Sequence, residues 1–380
     1  TRSVNLSITS PVATRVAIYT DESCTDASLL TELPVSEVAK NIRLDVAKAD
    51  RALYVQYATS KGKEMMNIPL NTASTRAETL VKLPENVSGF DTNGGEGAYR
   101  YQWYPAKGET ATLMMEDNWP EMGDYDFNDF VIWYHAQAIF FDGGNGSKDS
   151  YDADGVEFEI TFRAMGGYLP YRLGLQLDQT SAKYIDEVIE INGNDLVKME
   201  LQNPGEDAPA IFIFTGTDQL RKQNNGGTFY NTEADHQIAA NDLVTIKYRL
   251  KINCFNSLER TKALWAAAIS ENQNFFLQKE KNGGREIHLR GYEPTAYYSG
   301  SYAGEAGNNM RSDIKYCSTD NFVWGIKVPV ELAHPREKTD IMKVYGKFRS
   351  WITNPNLSMD SPEDYNENWY KYLDSSQAIK

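Results

Sequence analysis

The sequence predicts an all-β protein, with a small N-terminal β-sandwich domain followed by a larger jelly-roll-like antiparallel β-sandwich that carries one C-terminal helix. Three observations carry this prediction. Short runs that alternate apolar with polar residues recur along the chain, as half-buried strands do. Turn signals of the NG, GG and NPG kind separate these runs. Helical patterning is scarce, and many short strands joined by polar turns favour antiparallel sandwiches over βαβ folds.

The N-terminal domain is predicted to span residues 1–78. Three of its runs alternate clearly: "TRVAIYT" (14–20), "IRLDVAK" (42–48) and "RALYVQYAT" (51–59). Each is bounded by polar residues that are typical of turns, so each is predicted to be a strand. The polar, Gly-rich stretch that follows, 79–109, is predicted to connect the two domains.

The larger domain is predicted over residues 110–380. Its strand-like runs are "TATLMMED" (110–117), "FVIWYHAQAIFFD" (130–142), "DGVEFEITFRAMGG" (154–167), "YRLGLQL" (171–177), "IDEVIEING" (185–193), "PAIFIFTG" (209–216), "DLVTIKYRLKIN" (242–253) and "NFFLQKE" (274–280). Within 337–354 apolar residues recur at helical spacing, which predicts the C-terminal helix. These residues are Ile341, Val344, Tyr345, Phe348 and Ile352.

The bulk composition excludes several classes of partner. A formal net charge of −15 argues against nucleic acid and anionic lipid, which both require basic patches. The three cysteines show no metal-binding spacing, and buried thiols are favoured over one long-range disulfide. No apolar run approaches the ~18 residues that a membrane span needs. The chain opens "TRSVNLSITS" with neither an initiator Met nor an apolar signal core, so we expect any export signal to have been removed.

The stretch "WPEMGDYDFNDF" (119–130) alternates acidic or amide side chains with aromatic ones. In a straight strand, side chains on one face lie roughly 6.5–7 Å apart. Calcium ligands lie about 2.4 Å from the ion, so a shared ion requires a curled backbone. Gly123 and Pro120 provide turn chemistry for the curl. The candidate ligands are Asp124, Asp126, Asn128 and Asp129, with Glu116 and its neighbour Asp117 from the preceding strand end able to complete the shell.

The loop does not match an EF-hand. Counted from Asp124, the sixth position is Asp129 where Gly is required, and the twelfth is His135 where Glu is required. Hard oxygen ligands without His or Cys favour Ca²⁺ over zinc or copper. The alternative is an Asx-rich turn whose side chains cap their own backbone amides. A second acidic loop, 142–155, contains Asp154 and is interpreted as a turn.

No catalytic constellation stands out in the sequence. The four histidines include no HExxH pair, and neither a GxSxG elbow nor a phosphate-binding loop occurs. Glu157 and Glu159 share a strand face and could serve a glycosidase, although the wet face of an antiparallel strand is the ordinary explanation for such a pair. His288 is interpreted as structural. The aromatic residues of 96–106 and 293–304 form either a sugar-stacking platform or ordinary packing.

Three blocks of sequence together resemble the LruC-domain family. They are "MMEDNWPEMGDYDFNDFVIWYH" (114–135), "GREIHLRGYEPT" (284–295) and "YCSTDNFVWGIKVPVELAHPREKTDIMKVYGKFRSWITN" (316–354), followed by "NWYKYLD" (368–374). "MMED" replaces the family's usual aromatic residue before Glu-Asp, but every acidic position is kept. The resemblance implies an exported protein of Bacteroides-type bacteria, often lipid-anchored to the outer membrane or cell surface. It also implies calcium at the acidic motif and no enzymatic activity.

The sequence therefore predicts a non-catalytic, calcium-binding protein of the cell surface or outer membrane. Its partner would be a surface glycan or a protein ligand, as in cell adhesion, and a lipid anchor upstream of Thr1 is compatible with the resemblance. Two alternatives stay open. The first is a carbohydrate-active hydrolase that uses Glu157 or Glu159. The second is a structural, fimbria-associated protein that offers an open sheet edge for strand addition.

Overall fold

The computed structural model describes residues 2–12, 14–25, 28–35, 37, 39–59, 62–70, 78–87, 91–92, 98–142, 153–202, 205–279, 284–353 and 369–380. The strands of these residues are β1 (Arg2–Thr9), β2 (Thr14–Tyr19), β3 (Leu29–Val35), β4 (Lys40–Val46), β5 (Ala52–Thr59), β6 (Gly62–Pro69), β7 (Glu78–Lys82), β8 (Asp91–Thr92), β9 (Ala98–Tyr104), β10 (Ala111–Met115), β11 (Phe130–Asp142), β12 (Gly155–Ala164), β13 (Arg172–Ser181), β14 (Glu187–Asn192), β15 (Lys198–Gln202), β16 (Pro209–Thr215), β17 (Thr245–Lys251), β18 (Gln273–Gln278), β19 (Glu286–His288), β20 (Gly325–Val328), β21 (His334–Pro335) and β22 (Ala378–Ile379). The α-helices are α1 (Leu258–Ala267), α2 (Tyr302–Ala306), α3 (Ile341–Val344) and α4 (Phe348–Ile352).

The first seven strands form two sheets that face each other. One sheet has the order β4-β1-β7 and the other the order β3-β2-β5-β6, and β1 runs parallel to β7. Every second residue of β5 is buried, as the alternation of its sequence predicts. Leu6, Val16, Leu44 and Val55 belong to the apolar core between the two sheets. The N-terminal domain is therefore a β-sandwich, as the sequence predicts.

The larger sandwich joins an eight-stranded sheet to a five-stranded one. The eight-stranded sheet has the order β14-β17-β12-β11-β10-β20, with β9 paired to β11 and β8 to β9. The five-stranded sheet has the order β15-β16-β13-β18-β19. Inward residues such as Ile132, Phe158, Leu175 and Phe212 fill the core between the sheets. The all-β prediction is confirmed. None of the described helices is both long and apolar enough to span a bilayer.

A further core lies on the outer face of the eight-stranded sheet. There Val131 and Ile326 project away from the main core and pack against the C-terminal part of the chain. The cover consists largely of aromatic residues, and Trp351 and Trp369 stack with their ring centroids 5.1 Å apart. We call the covering segments the C-terminal cover: residues 322–324, 329–353 and 369–380, which pack on β10, β11 and β20.

The predicted helix over 337–354 is two short helices, α3 and α4. Tyr345 interrupts them with an extended backbone, and Gly346, a poor helix former, follows it. The periodic apolar residues are all buried, but in two separate turns of helix. The sequence pattern therefore predicts the burial of these residues correctly, but its prediction of one continuous helix is wrong.

Two other segments differ from the expectation. Residues 79–109 do more than connect, because β7 pairs with β1 and β9 pairs with β11. Helix α1 was not expected. It begins at an N-cap, where the Ser257 side chain accepts a hydrogen bond from the Arg260 N–H, and its Ala263 carbonyl accepts one from Thr180 on β13.

The three cysteines carry free thiols. Cys254 and Cys317 are buried, and Cys24 is half-buried. The interpretation without a disulfide agrees with this arrangement.

Candidate metal centre

The loop between β10 and β11 has the curl that a shared ion requires. Tyr125 and Phe127, on either side of Asp126, both lie in the left-handed region, with φ of 57° and 54°. Bulky residues rarely adopt this conformation, so tertiary packing has to hold them there. Both rings are buried in the C-terminal cover, with their centroids 4.9 Å apart. The aromatic residues of the motif are therefore core residues, and the backbone on either side of Asp126 is not that of an extended strand.

Three of the predicted ligands converge. Carboxylate oxygens of Glu116, Asp124 and Asp126 all lie within 4.8 Å of one another. Oxygens that bind one Ca²⁺ lie at most about 5 Å apart, because each is within 2.6 Å of the ion. Glu116 and Asp126 are buried and Asp124 is exposed. The group therefore has the spacing of a calcium site and opens to solvent at Asp124.

Two buried oxygens at this site have no hydrogen-bond partner among the described residues. They are Glu116 Oε2 and Asn128 Oδ1. The other atoms of these side chains are engaged: Glu116 Oε1 accepts a hydrogen bond from the Phe127 N–H, and Asn128 Nδ2 donates to Asp126 Oδ2 at 2.7 Å. A buried acceptor without a partner costs about 1–3 kcal/mol. A cation among the converging carboxylates would satisfy Glu116 Oε2.

Asp129, the fifth predicted ligand, lies beside Asp117. Its Oδ2 accepts a hydrogen bond from the Asp117 N–H at 2.8 Å, and Asp117 Oδ2 in turn accepts one from the Leu169 N–H at 3.3 Å. Asp129 is therefore not in the tight group, although its charge raises the pKa of Glu116. It joins the acidic loop to the segment that follows β12.

Gly166 and Gly167 allow this close approach, and sequence reasoning missed them. A Cβ on Gly166 would lie 2.0 Å from Asn128 Oδ1, and one on Gly167 would lie 2.1 Å from Asp117 Oδ2. Any side chain at either position would push the loop away. The sequence signal that could have revealed them is the Gly pair itself, because glycines at the end of a predicted strand often mark a close backbone contact.

The electrostatics of the loop follow from burial. Burial, and next the carboxylates of Asp129 and Asp126, raise the pKa of Glu116 well above its ordinary value. Burial, and then Asp124, raise the pKa of Asp126 to about 7. Burial and then Asp117 raise the pKa of Asp129. A group of acids that resists ionisation in this way gains most from a bound cation.

The loop also holds the C-terminal cover in place. Asp126 Oδ2 accepts a hydrogen bond from the Lys338 N–H at 2.8 Å, and the Tyr125 carbonyl accepts one from the Ile341 N–H at 2.9 Å. The Tyr125 hydroxyl accepts a third from the Val323 N–H at 3.3 Å. Order in the loop is therefore coupled to the docking of the chain's last segments.

Glu157 and Glu159 lie on the outer face of β12. Glu157 Oε1 accepts a hydrogen bond from Arg249 Nε at 2.9 Å, and its Oε2 lies 3.1 Å from Lys247 Nζ. Lys247 also lies 3.6 Å from Glu159. Both carboxylates are therefore engaged by cations of the neighbouring strand β17.

His288 is fully buried on β19. Its ring nitrogens lie 2.7 Å from Asn274 Oδ1 and 3.0 Å from Glu286 Oε2, and Thr295 donates two further hydrogen bonds to the Glu286 carboxylate. This network joins the loop around Thr295 to the five-stranded sheet, which agrees with a structural role.

The second acidic loop, 142–155, lies mostly outside the described residues. Asp154, at its end, accepts hydrogen bonds from the N–H groups of Phe141 and Cys254 at 2.7 and 3.2 Å. Burial raises the pKa of Asp154 to about 6. Its hydrogen bonds join the start of β12 to the end of β11 and to the segment that follows β17.

Comparison with known proteins gives a family and a fold. The family model described as "Domain of unknown function (DUF4842)" matches residues 153–370. Among solved structures, the crystal structure of a "Putative lipoprotein from Bacteroides ovatus" aligns with a TM-score of 0.57 and 22% identity, covering 97% of this chain and 99% of that chain. No curated protein matches the chain. The structural likeness shows a shared fold, and the LruC-domain assignment stays a prediction.

Proposed function

The chain belongs to the family described as "Domain of unknown function (DUF4842)", and we propose that it is a non-catalytic, calcium-binding protein of the cell surface. The bound ion joins the acidic loop and fixes the C-terminal cover on the large sandwich. One observation carries the proposal. The carboxylates of Glu116, Asp124 and Asp126 converge, and the buried Glu116 Oε2 has no other partner among the described residues.

The donor set favours calcium over other ions. Its members are carboxylate and amide oxygens, which suit hard cations. Mg²⁺ requires a near-ideal octahedron with oxygens 2.0–2.1 Å away and keeps several waters. Two of the three converging carboxylates are buried, which leaves little room for those waters. An irregular loop with a half-open side suits the flexible coordination of Ca²⁺.

Two observations support a surface location and a non-catalytic role. The protein that shares the fold over almost its whole length is described as a putative lipoprotein of Bacteroides ovatus, and the LruC-type motifs point to the same compartment. Glu157 and Glu159, the pair that a glycosidase could use, are engaged by Arg249 and Lys247.

Calorimetric titration with Ca²⁺, after treatment with a chelator, tests the proposal. We expect saturable binding, and at free calcium a hundredfold above Kd the free energy of unfolding should rise by about 2.7 kcal/mol. Glu116→Gln keeps the size of the side chain and removes its charge, so it should weaken binding at least tenfold. Glu121→Gln is the matched control, because Glu121 is an exposed acid of the same loop.

The proposal fails if calcium produces neither heat nor a change in melting temperature. It also fails if Glu121→Gln weakens binding as much as Glu116→Gln, because binding would then follow net charge and not the site.

A further inference from the structure

The outer face of the five-stranded sheet carries a cavity of about 590 Å³. Alternate residues of β15 and β16, with one end residue each of β13 and β18, form its floor on the side opposite the main core. One wall is the 3₁₀ helix Thr217–Gln223, and the other is the loop that carries Tyr297. Pockets for small molecules have volumes of about 300–1,000 Å³. This cavity is therefore large enough for a ligand.

The cavity has one apolar side. Ile211, Ile213 and Phe276 form a small cluster on this face, and Tyr297 packs against it. The ring of Phe276 lies over Gly174, where a Cβ would come within 2.2 Å of it. Tyr297, half-buried, is held by the cluster at the edge of the cavity.

The remaining lining is polar and pre-arranged. Arg172 donates to Gln278 Oε1 at 2.8 Å, and the Thr215 hydroxyl donates to Glu200 Oε1 at 3.1 Å. Gln202 and Gln219 add two further amides. An amide offers both donors and acceptors. The lining therefore presents hydrogen-bonding groups of both kinds, several of them already held by a neighbour.

The charges and polarity of the lining select the class of ligand. Glu200 and Asp218 outnumber Arg172, which disfavours phosphates and other anions. The polar floor disfavours lipid. The vicinal hydroxyl groups of a sugar each donate and accept hydrogen bonds, which matches the amides and the Thr215 hydroxyl of the lining. The C–H face of a sugar ring also packs well on an aromatic ring such as that of Tyr297.

We propose that this cavity binds a neutral oligosaccharide, with Tyr297 as the stacking residue and Gln202, Thr215 and Arg172 as hydrogen-bonding residues. This inference goes beyond the proposed function, since it adds a second binding site with its own class of ligand. The cavity shares no residue with the acidic loop, so the two sites are separable by experiment.

The test is calorimetry with malto-, cello-, xylo- and manno-oligosaccharides, and with heparin oligosaccharides as the anionic comparison, each in calcium and in chelator. We expect at least one neutral member to bind and heparin not to bind. Tyr297→Ala should weaken binding at least tenfold. Gln202→Ala, on the edge strand β15, should weaken it severalfold and provides a second variant if the first is unstable.

Tyr168→Ala is the matched control, because Tyr168 is 76% exposed and lies outside the cavity. The inference is overturned if no neutral oligosaccharide binds, if only heparin binds, or if Tyr168→Ala weakens binding while Tyr297→Ala does not. Calcium binding that persists in Tyr297→Ala and Gln202→Ala shows that both variants are folded. If a sugar binds but titration with Ca²⁺ produces no heat, the calcium site is refuted and the proposal for the cavity still holds.

Discussion

The outer face of the eight-stranded sheet is covered by the chain's own C-terminal segments over β10, β11 and β20, whereas the outer face of the five-stranded sheet leaves a polar cavity open. The covered face is apolar, with Val131 and Ile326 beneath Trp351 and Trp369. The open face carries amide, hydroxyl and charged side chains around Tyr297. The two outer faces of one sandwich therefore differ in both polarity and exposure. One face buries aromatic rings, and the other leaves hydrogen-bonding groups exposed in a cavity.

The largest effect should come from removing an aromatic residue of the covered face. Trp351→Ala deletes a fully buried ring that contacts Phe348 and Trp369, so the free energy of unfolding should fall by about 3–5 kcal/mol. Tyr297→Ala, on the open face, should cost about 1 kcal/mol or less. Urea denaturation in saturating calcium measures both. Equal losses in the two variants would contradict the comparison.

The second effect is a pH dependence at the covered face. Burial, and next the Arg163 guanidinium, lower the pKa of His334 to about 3, against 6.5 for an ordinary histidine. The folded chain therefore holds a neutral ring, whose contribution to stability is complete above pH 6.5 and is lost as the pH falls towards 3. At pH 4.5 this loss should be about 2–3 kcal/mol relative to pH 7.

His334→Gln isolates this effect, because the Gln amide keeps a donor for the Asn231 carbonyl but does not titrate. Denaturation curves at pH 4.5 and 7, in saturating calcium, should show a smaller difference for the variant than for the natural chain. Identical differences would mean that His334 is not the titrating group.

The smallest effect is expected where the acidic loop meets β12. Gly166→Ala would place a Cβ 2.0 Å from Asn128 Oδ1, so the loop must shift, at a cost of about 1–2 kcal/mol. Calcium affinity should fall severalfold with it. Gly346→Ala is the control, because a Cβ there meets nothing within 4 Å. If Gly166→Ala leaves the calcium isotherm unchanged, Asn128 does not take part in the site.

Patterns local in sequence predicted much of this molecule. Alternation identified the strands of both sandwiches, and "FVIWYHAQAIFFD" coincides with β11 from Phe130 to Asp142. Ligand geometry alone required a curled loop, and Tyr125 and Phe127 have the left-handed conformation that produces it. These features depend on neighbouring residues, which is why the sequence reveals them.

Features that depend on distant contacts were not predictable. The break between α3 and α4 arises because Tyr345 donates its hydroxyl to the Ala333 carbonyl and pairs with Leu373, neither of which periodicity can show. The role of Gly166 depends on a loop 38 positions earlier, as its N–H donates to the Asn128 carbonyl. The cavity depends on the register of four strands, which no local sequence pattern shows. Helix α1 was missed although Ser257 and Glu259 form a recognisable helix start.

The hydrogen bond from Lys338 to Asp126 joins residues that are 212 positions apart in the chain. Such a contact closes a very long loop, so it forms late in folding and slows it. The acidic loop is consequently synthesised long before the segment that completes its surroundings. Until that segment arrives, the apolar outer face of β10, β11 and β20 is open to other chains. The acidic loop thus lies where docking of the C-terminal cover shields an apolar sheet face from other chains.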